Sequence, residues 1–175
     1  MGHWLVIDLE ATTEDGGWPL TDMEIIEIGA CLVTADGREV DHFQRFVKPL
    51  RRPHLTVFCR ALTHISQSNI DSAAPLTTVW PQFEQWLSAH AARLAGWSSW
   101  GDYDRSQFER NCRSYDLKYP FGPTHLNVKT LFAMSLGLTK EVGIDEALAK
   151  YGLTLEGTHH RGVDDAWNIA HMLTL

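Results

Sequence analysis

The sequence predicts an α/β protein, a mixed sheet flanked by helices in one domain. Three observations carry this. The first half of the chain holds three strand-forming runs, the second and third joined by an Asp-Gly turn. The second half alternates helical periodicity with short apolar runs, the order expected of helices packed on a sheet. At 175 residues, with no internal repeat and no low-complexity linker, the chain has the length of one ordinary domain, residues 1–175.

Taken in order, residues 3–9 form a short apolar run rich in strand formers, suited to a buried central strand. Glu14-Asp15-Gly16-Gly17-Trp18-Pro19 is dense in turn residues. A second strand follows over 25–34. Ala35-Asp36-Gly37-Arg38 then turns the chain into a third over 39–48, and residues 49–53 form a basic break. Leu76, Val79, Trp80, Phe83 and Leu87 fall three and four apart, marking an amphipathic helix that starts after Pro75. Residues 94–97 read as a short strand, with a helix behind it carrying Phe108, Cys112 and Tyr115. Residues 124–129 read as another strand, 144–150 as a short helix ended by Gly152, and a last helix runs from about Gly162 to the C-terminus.

Composition narrows the function classes. With 44% hydrophobic and 21% charged residues the chain is neither disordered, collagen-like nor a coiled coil. No apolar run approaches the roughly 20 residues that span a bilayer, and the N-terminus lacks the basic and apolar regions of a secretory signal. A soluble, cytoplasmic protein without a membrane partner is expected. Cys31, Cys59 and Cys112 are odd in number and far apart, so they read as buried thiols rather than a disulfide framework. A net charge of −7 argues against a general nucleic-acid coat. It does not argue against a nucleic-acid enzyme, because a site for divalent metals itself needs carboxylates.

The chemistry-bearing segment is Asp8-Leu9-Glu10. Two residues apart on a strand, both carboxylates leave the same face of an otherwise apolar element. Like charges buried together are costly unless a cation sits between them, and hard divalent cations take carboxylate oxygens. Alone, so short a motif is more often a strand end facing water. Asp102 and Asp104 follow Gly101 at a strand-to-helix turn. Asp164 and Asp165 open the last helix, where an acid also complements the helix dipole. His159 and His160 lie just upstream, and an imidazole beside such acids suits a general base. Residue chemistry and periodicity leave open the choices between 102 and 104, between 159 and 160, and between 164 and 165.

Three segments together, Asp8-Leu9-Glu10-Ala11-Thr12, Gly101-Asp102-Tyr103-Asp104 and His160-Arg161-Gly162-Val163-Asp164-Asp165, resemble the exonuclease motifs of the DEDDh 3′–5′ exonucleases. The similarity is strongest to the Eri-type branch, which includes the histone-mRNA 3′-end exonucleases. It continues through Glu24-Ile25-Ile26-Glu27-Ile28, Phe46-Val47-Lys48-Pro49 and Phe58-Cys59-Arg60-Ala61-Leu62-Thr63-His64-Ile65, and so covers nearly the whole chain in order.

The resemblance implies a ribonuclease-H-like fold and a metal-dependent 3′–5′ exonuclease on single-stranded RNA or DNA, acting by a two-metal mechanism with Mg²⁺ or Mn²⁺. By the family's pattern the metal ligands are Asp8, Glu10, Asp104 and Asp165, and the general base is His160. Ala11, Thr12, Leu62 and Thr63 are implied contacts to the substrate. Trp100 and Tyr103, flanking the second motif, are candidates to face a base. Lys48, Arg51, Arg52, His54 and Arg60 form the densest positive stretch, readable as a phosphate track or as a solvated loop. The chain reads as a bare nuclease domain, so selection of a particular RNA would fall to its surface or to a protein partner; a homo-oligomer is a separate possibility that no periodicity in the sequence identifies. Two contrasting readings are a scavenger of very short oligonucleotides and a non-catalytic nucleic-acid-binding or regulatory module on the same fold.

Overall fold

The computed structural model describes residues 2–94 and 96–174. Among them are five strands and seven α-helices, with the strands in the order β3-β2-β1-β4-β5. The central strand β1 (His3–Ala11) runs antiparallel to β2 (Ile25–Thr34) and parallel to β4 (Trp97–Ser99). β3 (Glu39–Phe46) closes the hairpin with β2 through a turn in which Gly37 adopts φ 82°, a conformation that favours glycine. β5 (His125–Asn127) pairs parallel with β4.

Helices cover both faces, which is why nine of the ten residues of β2 are buried and its sequence runs apolar rather than alternating. On one face, Leu5, Ile7 and Leu9 of β1 pack with Phe43 beneath α3 (Leu76–His90) and α4 (Tyr103–Ser114), which supply Trp80, Phe83 and Phe108. On the other, Val6, Cys31 and Val33 meet α5 (Val128–Ser135), α6 (Ile144–Lys150) and α7 (Gly162–Leu173). A smaller cluster of Ile26, Leu55, Cys59, Ile65 and Ile70 seats α1 (Val57–Thr63) and α2 (Gln67–Asp71) at one end.

The mixed sheet flanked by helices is the expected architecture, and all three cysteines are free and buried. Several boundaries differ from expectation. β1 continues to Ala11, and β3 stops at Phe46 rather than at 48. The strand expected over 94–97 begins at Trp97; Ala95 lies outside the described residues. The strand expected over 124–129 ends at Asn127, whose side chain accepts from the Thr130 N–H and starts α5. The basic break is followed by α1 and α2, which are too short to show a period. Their signal is in the caps: Thr56 accepts from Cys59 N–H, and Ser66 forms a capping box with Asn69. Among the described residues no helix is long and apolar enough to cross a membrane.

Candidate functional site

The site is assembled at the end of β1 by three elements. Along β1, Ile7 and Leu9 point into the core beneath α3 and α4. Asp8 and Glu10 alternate with them and so leave the sheet on the opposite face, the one covered by α7. After β4 the chain turns at Gly101, φ 101°, into α4. Asp104, in the first turn of α4, is 3% exposed, and its Oδ1 accepts the Leu9 N–H at 2.9 Å. That bond fixes the second motif to the strand bearing the first.

Asp165, in the first turn of α7, is also buried and accepts the His160 N–H at 2.9 Å. The neighbouring acids go elsewhere. Asp164 accepts from Thr158 N–H and faces a separate cavity beside Trp167. Asp102 is exposed and bonded to Asn127. Asp164 and Asp165, successive on α7, differ by about 100° in direction, and Asp102 precedes α4 as its N-cap while Asp104 lies in its first turn.

Asp8, Glu10, Asp104 and Asp165 line one cleft of about 350 Å³ together with His160, Ala11, Leu62, Trp100 and Tyr103. Thr12 and Thr63 stand behind this lining. Thr12 accepts the Glu24 N–H and donates its own N–H to the Glu24 carbonyl, while Thr63 donates to the Cys59 carbonyl. The cleft also includes His159, the alternative to His160 on residue chemistry, and Thr13, Met23, Gly143 and Ile144, for which the sequence carries no site signal. His159 Nδ1 lies 3.0 Å from Asp165 Oδ1, and the His159 and His160 imidazoles stack at 3.9 Å. His160 itself has φ 61°, in the left-handed region. In the basic stretch, Arg51 bonds to the Thr21 carbonyl, Arg52 pairs with Asp22 and covers the Trp18 ring, and Lys48 reaches the Asp71 carbonyl. These cations are engaged within the fold.

Burial, then mutual repulsion among the neighbouring carboxylates, holds Asp8 and Glu10 protonated well above the usual carboxylate range. Burial pushes Asp104 up to about 7 and raises Asp165 as well. Burial and the adjoining His159 lower His160. Oxygens of Asp8, Glu10 and Asp165 all lie within 4.8 Å of one another, and His159, His160 and Asp165 form a second such group. Carboxylates that close hold together protonated or around a cation. The nearby Arg161 guanidinium is committed to Glu27, with two contacts of 3.1 Å. An all-oxygen, open donor set of this kind fits a hard divalent cation.

Comparison with known proteins agrees with this chemistry. Residues 5–173 match the family model described as Exonuclease. The chain is 30% identical to human 3′-5′ exoribonuclease 1 over 174 residues, covering 95% of this chain and 50% of that protein. It is 29% identical to human ERI1 exoribonuclease 2 over 189 residues, covering 96% of this chain and 27% of that protein. The chain thus spans about a quarter to a half of these curated relatives. Among solved structures, the nuclease domain of 3′hExo, described as a DEDDh family member bound to rAMP, superposes with a TM-score of 0.88 at 28% identity, over 98% of this chain and 90% of that one. With a ribonuclease-H-like sheet, three motif-bearing elements meeting in one acidic cleft and a family match over nearly its whole length, the chain belongs to the Exonuclease family.

Proposed function

We propose that the chain is a metal-dependent exonuclease that removes nucleotides from the 3′ end of single-stranded nucleic acid, with RNA as its first substrate. The observation that carries this is the delivery of four carboxylates into one cleft by β1, α4 and α7, beside a histidine pair. The exoribonuclease names of the relatives and the rAMP bound to the similar nuclease domain support RNA. In this reading Asp8, Glu10, Asp104 and Asp165 hold two divalent ions, Mg²⁺ or Mn²⁺. Bound there, such ions would supply Lewis acidity to phosphodiester hydrolysis.

The chain's own residues do the rest. His160 takes the proton of the attacking water, and its lowered pKa keeps the ring neutral and able to accept it at neutral pH. Leu62, Trp100, Tyr103 and Ala11 give the terminal nucleotide apolar surface against which to stack or pack. Thr12 and Thr63 hold Ala11 and Leu62 in place through their buried hydrogen bonds.

The test is a time course on 5′-labelled single-stranded RNA and matching DNA, with Mn²⁺, with Mg²⁺ and with chelator, alongside Asp8→Asn and His160→Ala. A metal-dependent ladder shortening from the 3′ end, absent in both variants, is expected. Intact substrate throughout, with RNA still bound, would replace the enzyme with a non-catalytic module.

A further inference from the structure

Glu27 is a fifth carboxylate beside the site that the proposed reaction leaves without a task. It is fully buried on β2, directly opposite Glu10 in the strand register, yet it does not line the cleft. A buried carboxylate is tolerable when its oxygens are satisfied by donors and its charge is paired. Here four donors converge on it. Oε1 accepts from Gln44 Nε2 at 2.7 Å and Arg161 Nη2 at 3.1 Å; Oε2 accepts from Arg161 Nε at 3.1 Å and the Gly162 N–H at 3.2 Å. The guanidinium also lies 5.1 Å over the Phe46 ring. One carboxylate therefore ties together β2, β3 and the start of α7.

The backbone it grips is in contact with the site on both sides. A Cβ on Gly162 would lie 2.8 Å from the Asp8 carbonyl oxygen, and one on Gly29 would lie 2.0 Å from Gly162 C. One residue upstream of Arg161, the left-handed His160 sends its ring to the cleft and its N–H to Asp165, while Arg161 turns back into the sheet. We infer that Glu27 and Arg161 are a positioning pair: their forked contact sets the loop carrying His160, and with it Asp165, against the strand carrying Asp8 and Glu10. Neither residue lines the cleft, so the pair acts on orientation rather than by touching substrate.

This inference rests on the exonuclease reading, and Arg161→Lys tests it. Lysine keeps the charge that Glu27 needs but cannot present a planar fork. A displacement of about 1 Å at a reacting centre costs on the order of 100-fold in rate, so kcat should fall by about 10- to 100-fold with KM nearly unchanged and a cooperative melt retained. Glu27→Gln, whose amide presents N–H groups to the guanidinium, should behave alike or more severely. In metal-free protein, the His160 ring resonances, assigned by their loss in His160→Ala, should shift or broaden in both variants. A rise in KM with kcat intact would make Arg161 a substrate contact and overturn the inference. So would unchanged kcat and unchanged His160 resonances in a folded Arg161→Lys protein. Should Glu27→Gln not fold, Arg161→Lys decides alone. Should the wild type cleave nothing, the exonuclease reading falls and the His160 resonances still judge the clamp.

Discussion

The two faces of the sheet are built from opposite materials. Beneath α3 and α4 the filler is aromatic: Phe43 and Phe83 approach to 5.2 Å between ring centroids, and Trp80 and Phe108 to 5.5 Å. Beneath α7 the contact is glycine against glycine, Gly29 against Gly162, with Ala166 and Ala170 following along the helix. Large rings hold a helix at a distance and remove much apolar surface from water. Small residues let backbones touch, and on that face oxygens of Asp165 from α7 and of Asp8 and Glu10 from β1 come within 4.8 Å of one another. Bulk packing therefore dominates one side of β1 and close backbone approach the other, while Asp104 reaches the cleft from α4 at the end of the strand, held there by the Leu9 N–H.

Stability and activity should separate between the two faces. The largest effect is expected from Asp104→Asn, which should lower the cleavage rate by on the order of 10⁴-fold, about 5 kcal/mol of barrier. In chelator its melting temperature should match or exceed the wild type, because a repelling carboxylate has been removed. Phe83→Ala, on the other face, should cost about 3–5 kcal/mol of stability while cleavage per folded molecule, measured well below the melt, stays near wild type. A large loss of specific activity there would mean the two faces are mechanically coupled.

Gly29→Ala should affect both quantities, since its Cβ must push α7 away from the sheet. Overpacking of this kind costs about 1–3 kcal/mol, with kcat falling more than KM rises. The metal-free protein should also lose stability as pH rises. The site carboxylates are raised in the folded state, so the native form holds protons that the unfolded chain releases near pH ~4. The penalty is absent below that range and grows through the Asp104 value of about 7. Calorimetry in chelator should show a lower melting temperature at about pH 8 than at about pH 5, saturating Mn²⁺ should restore it, and Asp8→Asn should abolish the restoration. The smallest effect belongs to Asp102→Asn, at an exposed position, where stability should change by less than about 0.5 kcal/mol and cleavage should be almost unchanged.

Residue order alone determined much of this protein. Strand β2, the Asp36-Gly37 hairpin and α3 are legible because strand-forming runs, turn chemistry and helical periodicity are local properties of the chain. Asp8 and Glu10 were legible together for the same reason: a strand's period of two places both on one face whatever it packs against. Where the relevant distance lies between elements, local pattern is silent. Asp104 rather than Asp102, and Asp165 rather than Asp164, face the cleft because α4 is tied to Leu9 and α7 rests on Gly29. Thr13 and Met23 join the lining through the meeting of loops distant in sequence, and α1 and α2 leave no periodic signal because one or two turns carry no measurable period. Glu27, written in the sequence as one more acid on an apolar strand, is given its partners only when α7 closes on the sheet, because a buried charge is tolerated by what surrounds it rather than by what adjoins it in the chain.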